Sequence, residues 1–232
     1  MSQQSFLRLA PKVLLGLLLV AGIGIAVLFG PYAWRVQRVD AAPGNGFHSG
    51  YYLYVPASLQ RDADGMATLL VQPNNSGRIS DDLATHRRDA WMTGFERKQV
   101  AEELGVALLV PAFPRPARDW RVYTHALDRD VLTTRDPALA RLDLQLIAMI
   151  DDARARLHKE GVQVDARVLL QGFSASGMFA NRFTALHPER VRAATIGSPG
   201  GWPIAPVAKV GVAALPYPSG TADLQTLTGK PF

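Results

Sequence analysis

Residues 172–177 place Ser174 among small side chains where two different apolar patterns meet. The preceding segment, 167–171, is short, apolar and partly β-branched, as strands are. The following segment, 177–187, carries its large apolar residues at helical spacing. A strand and a helix joined this closely leave no room for bulky side chains at the junction. The sequence therefore predicts a sharp strand-to-helix turn with Ser174 at its tip.

This turn has the layout of a nucleophile elbow, whose usual pattern is G-x-S-x-G. Ser176 stands in place of the second glycine, and it is small enough for the turn and is followed by Gly177. An elbow strains the serine backbone and lifts the hydroxyl toward a base, which a weak nucleophile needs. Ser174 is therefore the candidate nucleophile. An incidental turn of glycine and serine is the alternative interpretation.

The N-terminus carries a long uncharged segment. Arg8 and Lys12 precede residues 13–29, which contain no charge and are long enough to cross a bilayer as a slightly short helix. No A-x-A-like cleavage site follows. We therefore predict an uncleaved signal anchor over residues 1–35, with the domain in the periplasm or otherwise outside the cytoplasm. Secretion after signal cleavage is the alternative. The basic residues on the two sides of the segment nearly balance in number, so the positive-inside rule favours neither orientation in the membrane strongly.

Composition excludes several classes of site. The 232 residues contain no cysteine, so neither disulfides nor thiolate metal sites are expected. The net charge of +5 comes partly from the flanks of the apolar segment, and the other basic residues are interleaved with acids. A nucleic-acid partner is therefore not expected. No H-E-x-x-H, G-x-G-x-x-G after a strand, or G-x-x-x-x-G-K occurs, and we predict no metal and no cofactor.

The rest of the chain alternates strand and helix patterns, which predicts a mainly parallel sheet with helices on both faces. Residues 36–50 read as a linker and residues 51–232 as the domain. The predicted strands cover 51–55, which we expect to be antiparallel, and 68–72, 106–110, 167–171 and 191–196.

Two long helices are predicted between these strands. Residues 81–104 read as helix in two pieces broken near Gly94, and residues 136–160 as one helix capped by Asp136. The expected inward positions of the first are Ala84, Trp91, Phe95, Val100 and Leu104. Those of the second are Leu139, Leu142, Leu146, Ile150, Ala153 and Leu157.

In this order the elements resemble the α/β-hydrolase superfamily, and within it the polyhydroxybutyrate-depolymerase and feruloyl-esterase-like serine hydrolases. The segments that carry the resemblance are 52–56, 69–77 and 172–178. The resemblance implies that Ser174 is the nucleophile and that the backbone N–H groups of Ala175 and Asn75 form the oxyanion hole. It also implies a small-molecule or polymeric ester as substrate. A simple polar turn is the alternative interpretation of residues 74–77.

The resemblance leaves the catalytic acid and base without clear positions. In this fold they follow the serine in the order acid, then histidine, yet the sequence extends only 58 residues past Ser174. His187 reads as a surface residue ending the elbow helix, on the order of 20 Å from Ser174. Asp223 reads as an acid at the start of a short helix. His125 is a candidate base on a loop near the site, although a solvent-exposed loop histidine is the favoured interpretation.

Three hypotheses follow. The first is a membrane-anchored serine hydrolase in a C-terminally truncated version, with the last strands of the α/β-hydrolase fold missing. The second is a non-catalytic binding or scaffold protein that retains a hydrolase core. The third is an enzyme whose base has moved, to His125 or to a partner chain. In all three, the strand at 191–196 becomes an apolar sheet edge unless residues 201–232 cover it.

Overall fold

The computed structural model describes residues 3–74 and 78–229, with the side chains of the first helix from residue 14 onward except residue 25. The chain divides into two units, residues 1–36 and 37–232. The first unit is helix α1, Gln3–Ala33. Its part Leu14–Ala33, with mean hydropathy 2.4, is long and apolar enough to cross a membrane or to act as a signal sequence.

The second unit is built on a six-stranded sheet. The strands are β1 Val36–Val39, β2 Tyr51–Tyr54, β3 Leu69–Val71, β4 Ala107–Pro111, β5 Val168–Phe173 and β6 Val191–Gly197. Their spatial order is β1-β2-β4-β3-β5-β6. Strand β2 runs antiparallel to β4, while the β3–β4, β3–β5 and β5–β6 pairs are parallel. The mainly parallel sheet and its early antiparallel strand are therefore confirmed.

The segment predicted as a linker is part of this folded unit. Strand β1 lies within it, and Phe47 is fully buried in the core. Ala42 and Phe47 form a β-bridge around the turn Pro43–Asn45. Glycine and proline here make a tight turn inside the domain, so the linker interpretation of residues 36–50 is corrected.

Helices pack on both faces of the sheet. The main helices are α2 Leu83–Leu104, α4 Leu142–Lys159 and α5 Ala175–Leu186, with the short α3 Arg129–Thr133 before α4. Tyr51 of β2 donates a hydrogen bond to Asp152 of α4 at 2.6 Å, and Tyr54 donates one to Glu102 of α2 at 2.5 Å. Because side chains alternate across a strand, these bonds place α2 and α4 on opposite faces.

Helix α2 differs from the prediction in two ways. It is continuous through Gly94, because the roughly 1 kcal/mol that glycine costs inside a helix is small beside the packing of 22 residues. Its buried residues are His86, Ala90, Gly94 and Ala101. The five large or apolar positions expected to face inward are instead half-buried or exposed. Small residues face the sheet here, which lets the helix pack close to the strands.

Helix α4 begins later than predicted. Residues 136–141 form a separate turn, in which the Asp136 carboxylate accepts a hydrogen bond from Ala138 N at 2.9 Å. Arg141 then adopts a left-handed conformation with φ 49°, which interrupts the helix before Leu142. All six positions predicted to face inward are buried, and the helix ends at Lys159, just before Gly161.

The segment after β6 folds back onto α3. It contains the hairpin β7 Lys209–Val210 and β8 Ala213–Ala214, and the short helix α6 Leu224–Thr228. Tyr217 and Leu224 join the hydrophobic core, and Arg129 of α3 forms an ion pair with Asp223 at 2.5 Å. The middle of β6, residues 192–195, is exposed. In the described part of the chain, this segment therefore does not cover the sheet edge.

Candidate active site at the strand β5 to helix α5 turn

Ser174 lies between the last residue of β5 and the first residue of α5, as predicted. Its backbone has φ 57° and ψ −121°, a conformation that L-residues rarely adopt. Strain of this kind costs of order 1–3 kcal/mol, and the surrounding structure must hold it in place. The Ser174 side chain is exposed. Among the described residues, its hydroxyl has no hydrogen-bond partner.

Backbone and side-chain hydrogen bonds hold the turn from three directions. Ser174 N donates to Gly197 O of β6 at 3.0 Å, and Met178 N donates to Ser174 O at 3.0 Å. The Ser176 hydroxyl accepts from Phe173 N at 3.0 Å and donates to Phe173 O at 2.9 Å. Ser176, which departs from the usual pattern, thus fixes the backbone on the strand side of the nucleophile position.

Two glycines are required by the close approach of strand and helix. A Cβ atom at Gly172 would lie 2.1 Å from Ser176 O, and one at Gly177 would lie 2.7 Å from Gly197 O. Both distances are too short for any side chain. The small residues of the motif therefore let β5 and α5 approach as the sequence predicted, and Gly177 also lets β6 approach, which the sequence did not predict.

Two backbone donors were predicted for the oxyanion hole. Ala175 is the first residue of α5, so its N–H has no partner inside the helix. Asn75 lies outside the described residues. Its neighbour Asn74 is fully buried, donates to Phe113 O at 3.1 Å and accepts from Phe113 N at 3.2 Å. Because β3 and β5 are parallel neighbours, Asn74, which follows β3, lies toward the same sheet edge as Ser174.

His125 is buried, not solvent-exposed as favoured from the sequence. It is 1% exposed within the 3-10 turn Thr124–Ala126. Its Nε2 lies 3.0 Å from Phe113 O, which can only accept a hydrogen bond, and 3.2 Å from Asn74 Nδ2, which can only donate one. The Phe113 contact therefore requires the proton on Nε2, and the Asn74 contact requires the other tautomer. Its Nδ1 is buried without a partner. Burial lowers the pKa of His125 to about 4, helped by the nearby His86 and Arg115 and opposed by the bond to Phe113.

His187 was predicted at the surface and is instead 1% exposed. Its Nε2 lies 2.9 Å from the fully buried carboxylate of Asp143. Arg141 binds the same carboxylate through two nitrogens, at 3.0 and 2.7 Å. Burial alone would raise the pKa of Asp143, but the hydrogen bonds from His187 and Arg141 outweigh it and lower the pKa to about 2.

This histidine–carboxylate pair has the composition of a catalytic dyad but the wrong position. His187 follows the last residue of α5, while Ser174 precedes the first, so the helical rise separates them by on the order of 20 Å. The pair instead ties the start of α4 to the end of α5. No other histidine in residues 3–74 and 78–229 forms an ion pair with a carboxylate. Sequence reasoning missed this pair because 44 residues separate its members.

Asp223 lies immediately before α6, as predicted, but does not cap that helix with its side chain. Its carboxylate accepts from Tyr217 N at 2.8 Å and pairs with Arg129. These bonds outweigh the effect of partial burial and lower its pKa. Asp223 therefore secures the last segment of the chain to α3. The described residues contain no group of three or more histidine, aspartate or glutamate side chains placed to bind a metal ion.

No protein-family model matches the chain, and no curated protein sequence matches it. Several solved structures are similar to it. The poly(3-hydroxybutyrate) depolymerase from Bordetella parapertussis has a TM-score of 0.49 and 18% identity, over 84% of this chain and 60% of that protein. The poly(aspartic acid) hydrolase-1 from Sphingomonas sp. KT-1 has a TM-score of 0.47 and 22% identity, over 78% and 63%.

An acetyl xylan esterase from Aspergillus awamori has a TM-score of 0.44 and 22% identity, over 69% of this chain and 50% of that one. The chain thus spans 50–63% of the length of these three structures. Several of the solved structures to which the chain is similar are named as esterases, and one is named as a depolymerase.

Proposed function

We propose that this protein is a membrane-anchored serine hydrolase that acts on an ester or related acyl bond, with Ser174 as the nucleophile. One observation carries the proposal. Ser174 is held in a strained backbone conformation with its side chain exposed, at a junction where Gly172 and Gly177 cannot be replaced. Strain of this kind is typical of functional sites, and an elbow presents the hydroxyl in this way.

The oxyanion would be stabilised by the N–H groups of Ala175 and Asn75. The first lies at the N-terminus of α5, where the helix dipole favours a negative charge. The second would come from the loop that Asn74 anchors by its paired hydrogen bonds to Phe113. Preorganised donors stabilise the charge that develops in the transition state without having to reorganise.

The proposed mechanism also needs a general base. His125, the candidate from the sequence, contacts Phe113 O through Nε2 and has a buried Nδ1 without a partner among the described residues. It could accept a proton from Ser174 only after the loop around it opened. Without an acid and a base, a serine hydrolase loses on the order of 10⁴ to 10⁶ in rate. A partner chain that supplies a base is the other form of this hypothesis.

Covalent labelling with a fluorophosphonate probe tests the role of Ser174. We expect the wild-type chain to label and the S174A variant not to label, with both folded by circular dichroism. The matched control is S198A, which removes another exposed serine close to the turn. Loss of labelling in S198A with retention in S174A would contradict the assignment.

The alternative is a non-catalytic binding or scaffold protein that retains a hydrolase core. It is favoured by the absence, in the described ranges, of any histidine hydrogen-bonded to Ser174. Under this alternative, the wild-type chain folds cooperatively and does not label even at long exposure to the probe.

Membrane anchoring is proposed from the length and hydropathy of Leu14–Ala33. We expect the full chain to stay with membranes during alkaline carbonate extraction, and a variant without residues 1–35 to become extractable. A shortened mature N-terminus would support secretion after cleavage instead. A C-terminal reporter that is active only in the cytoplasm would contradict the proposed location of the domain outside it.

A further inference from the structure

A half-open pocket lies between strands β1 and β2 and the start of α2. About 60 Å³ of it is open to the centres of water molecules. A single water needs roughly 10–15 Å³ on this scale, so the pocket can hold a group of several heavy atoms. It lies at the sheet edge where β4 ends, three strands from β5 and therefore roughly 15 Å from the Ser174 turn.

Three polar side chains that line this pocket have no hydrogen-bond or ionic partner in the described part of the chain. Ser49 is 8% exposed, and its hydroxyl is buried and unpaired. Arg87 and Tyr52 are half-buried and also unpaired. Buried polar groups in native proteins nearly always have partners. The buried, unpaired Ser49 hydroxyl therefore indicates a ligand that bonds to it, with Tyr52 and Arg87 in the same lining as further donors.

The charge of the lining indicates the kind of ligand. Arg38 pairs with Asp40 at 2.6 Å, and both are exposed at the rim. Arg87 is the cation left without a counter-charge. Burial and the charge of Asp40 raise the pKa of Tyr52, whereas the positive charges of Arg38 and Arg87 lower it. With His48 neutral, the formal charge of the lining is +1, which suits a monoanion, since Asp40 would repel a second negative charge.

We propose that this pocket binds a small organic monocarboxylate. The planar guanidinium of Arg87 suits the two oxygens of a carboxylate. The hydroxyls of Ser49 and Tyr52 supply further donors. Val39, Leu83 and Ala112 form an apolar wall that receives the hydrocarbon part of the ligand. The proposal does not involve Ser174 and does not depend on the hydrolase activity.

Equilibrium dialysis of labelled benzoate against the full chain in detergent tests the proposal. We expect saturable binding, with no competition by the neutral benzamide and at least tenfold weaker competition by phenyl phosphate. R87Q should weaken benzoate binding at least tenfold, and S49A should weaken it about two- to tenfold. The matched control is R88Q, which removes the exposed arginine next along α2 and should leave binding unchanged.

Several results would overturn the proposal. These are no saturable binding up to 50 mM, equal competition by benzamide or phenyl phosphate, or unchanged binding in R87Q. Detergent takes up the same amount of benzoate in the R87Q and R88Q samples. A difference in benzoate binding between these two variants therefore measures binding in the pocket. If R87Q does not fold, R87K keeps the charge without the planar fork and should still weaken binding severalfold, and unchanged binding in R87K would overturn the proposal.

Discussion

The buried His125 makes stability depend on pH in a defined window. Its pKa falls from 6.5 to about 4 on folding, because protonation would place a charge on an Nδ1 that has neither solvent nor an acceptor. Between these values the unfolded chain binds the proton and the folded chain does not. The free energy of unfolding therefore rises with pH across this window, and falls as the pH is lowered from 6.5 toward 4.

The size of the effect follows from the shift. A fall in the pKa of His125 from 6.5 to about 4 corresponds to about 3 kcal/mol of unfolding free energy in total, and about 2 kcal/mol of this is lost between pH 8 and pH 5. Urea unfolding followed by tryptophan fluorescence measures it at both pH values. Comparison with H125Q isolates the contribution of this residue, because the other titrating groups are common to both chains.

The matched control is H158Q, which removes an exposed histidine near the end of α4. We expect H158Q to lose as much stability as wild type between pH 8 and pH 5, and H125Q to lose about 2 kcal/mol less. Equal losses in wild type and H125Q would refute the reasoning. That result would mean that His125 takes up a proton in the folded protein near pH 6.5. Its side chain would then not be shielded from solvent as it is in the structure.

Three further predictions concern the turn and the buried ion pair. G172A should destabilise the fold by at least about 3 kcal/mol in urea unfolding, because its Cβ would meet Ser176 O at 2.1 Å, whereas G44A has open space and should change little. S174G should raise the unfolding free energy by about 1 kcal/mol, since glycine adopts positive φ without strain, while abolishing probe labelling. D143N should cost about 3–5 kcal/mol. Wild type should also lose about 2 kcal/mol below pH 4, as pH falls through the unfolded pKa of 3.8 toward the folded value of about 2, and D143N should not.

The sequence predicted the elbow well because its requirements are local. The contact between Gly172 and Ser176 and the first turn of α5 depend on residues within six positions of each other, and only the bond from Ser174 N to Gly197 O brings in a distant part of the chain. The inward face of α4 was also predicted correctly, since its apolar residues repeat at helical spacing. In both cases the residues that specify the structure are neighbours in the chain.

The predictions failed where distant residues decide the structure. The large apolar residues of α2 suggested an inward face, but contact with the sheet is made by small residues such as Ala90 and Ala101. His187 and Asp143 become partners only when α4 packs against α5. His125 is turned inward by Phe113, a residue on the other side of a loop. No periodicity or motif encodes these contacts.

The position of His125 also determines how its role can be tested. It bonds to Phe113, which in turn holds Asn74 at the start of the loop proposed to supply an oxyanion donor. Removing His125 would therefore disturb the contacts of Phe113 and Asn74, and a loss of labelling in such a variant would not identify a base. The pH profile separates the two roles. A base with a pKa of about 4 gives labelling that is constant above pH 5, whereas an external histidine gives a rise near pH 6.5. A rise near pH 6.5 would therefore assign the base to another residue and leave His125 the role of positioning the loop.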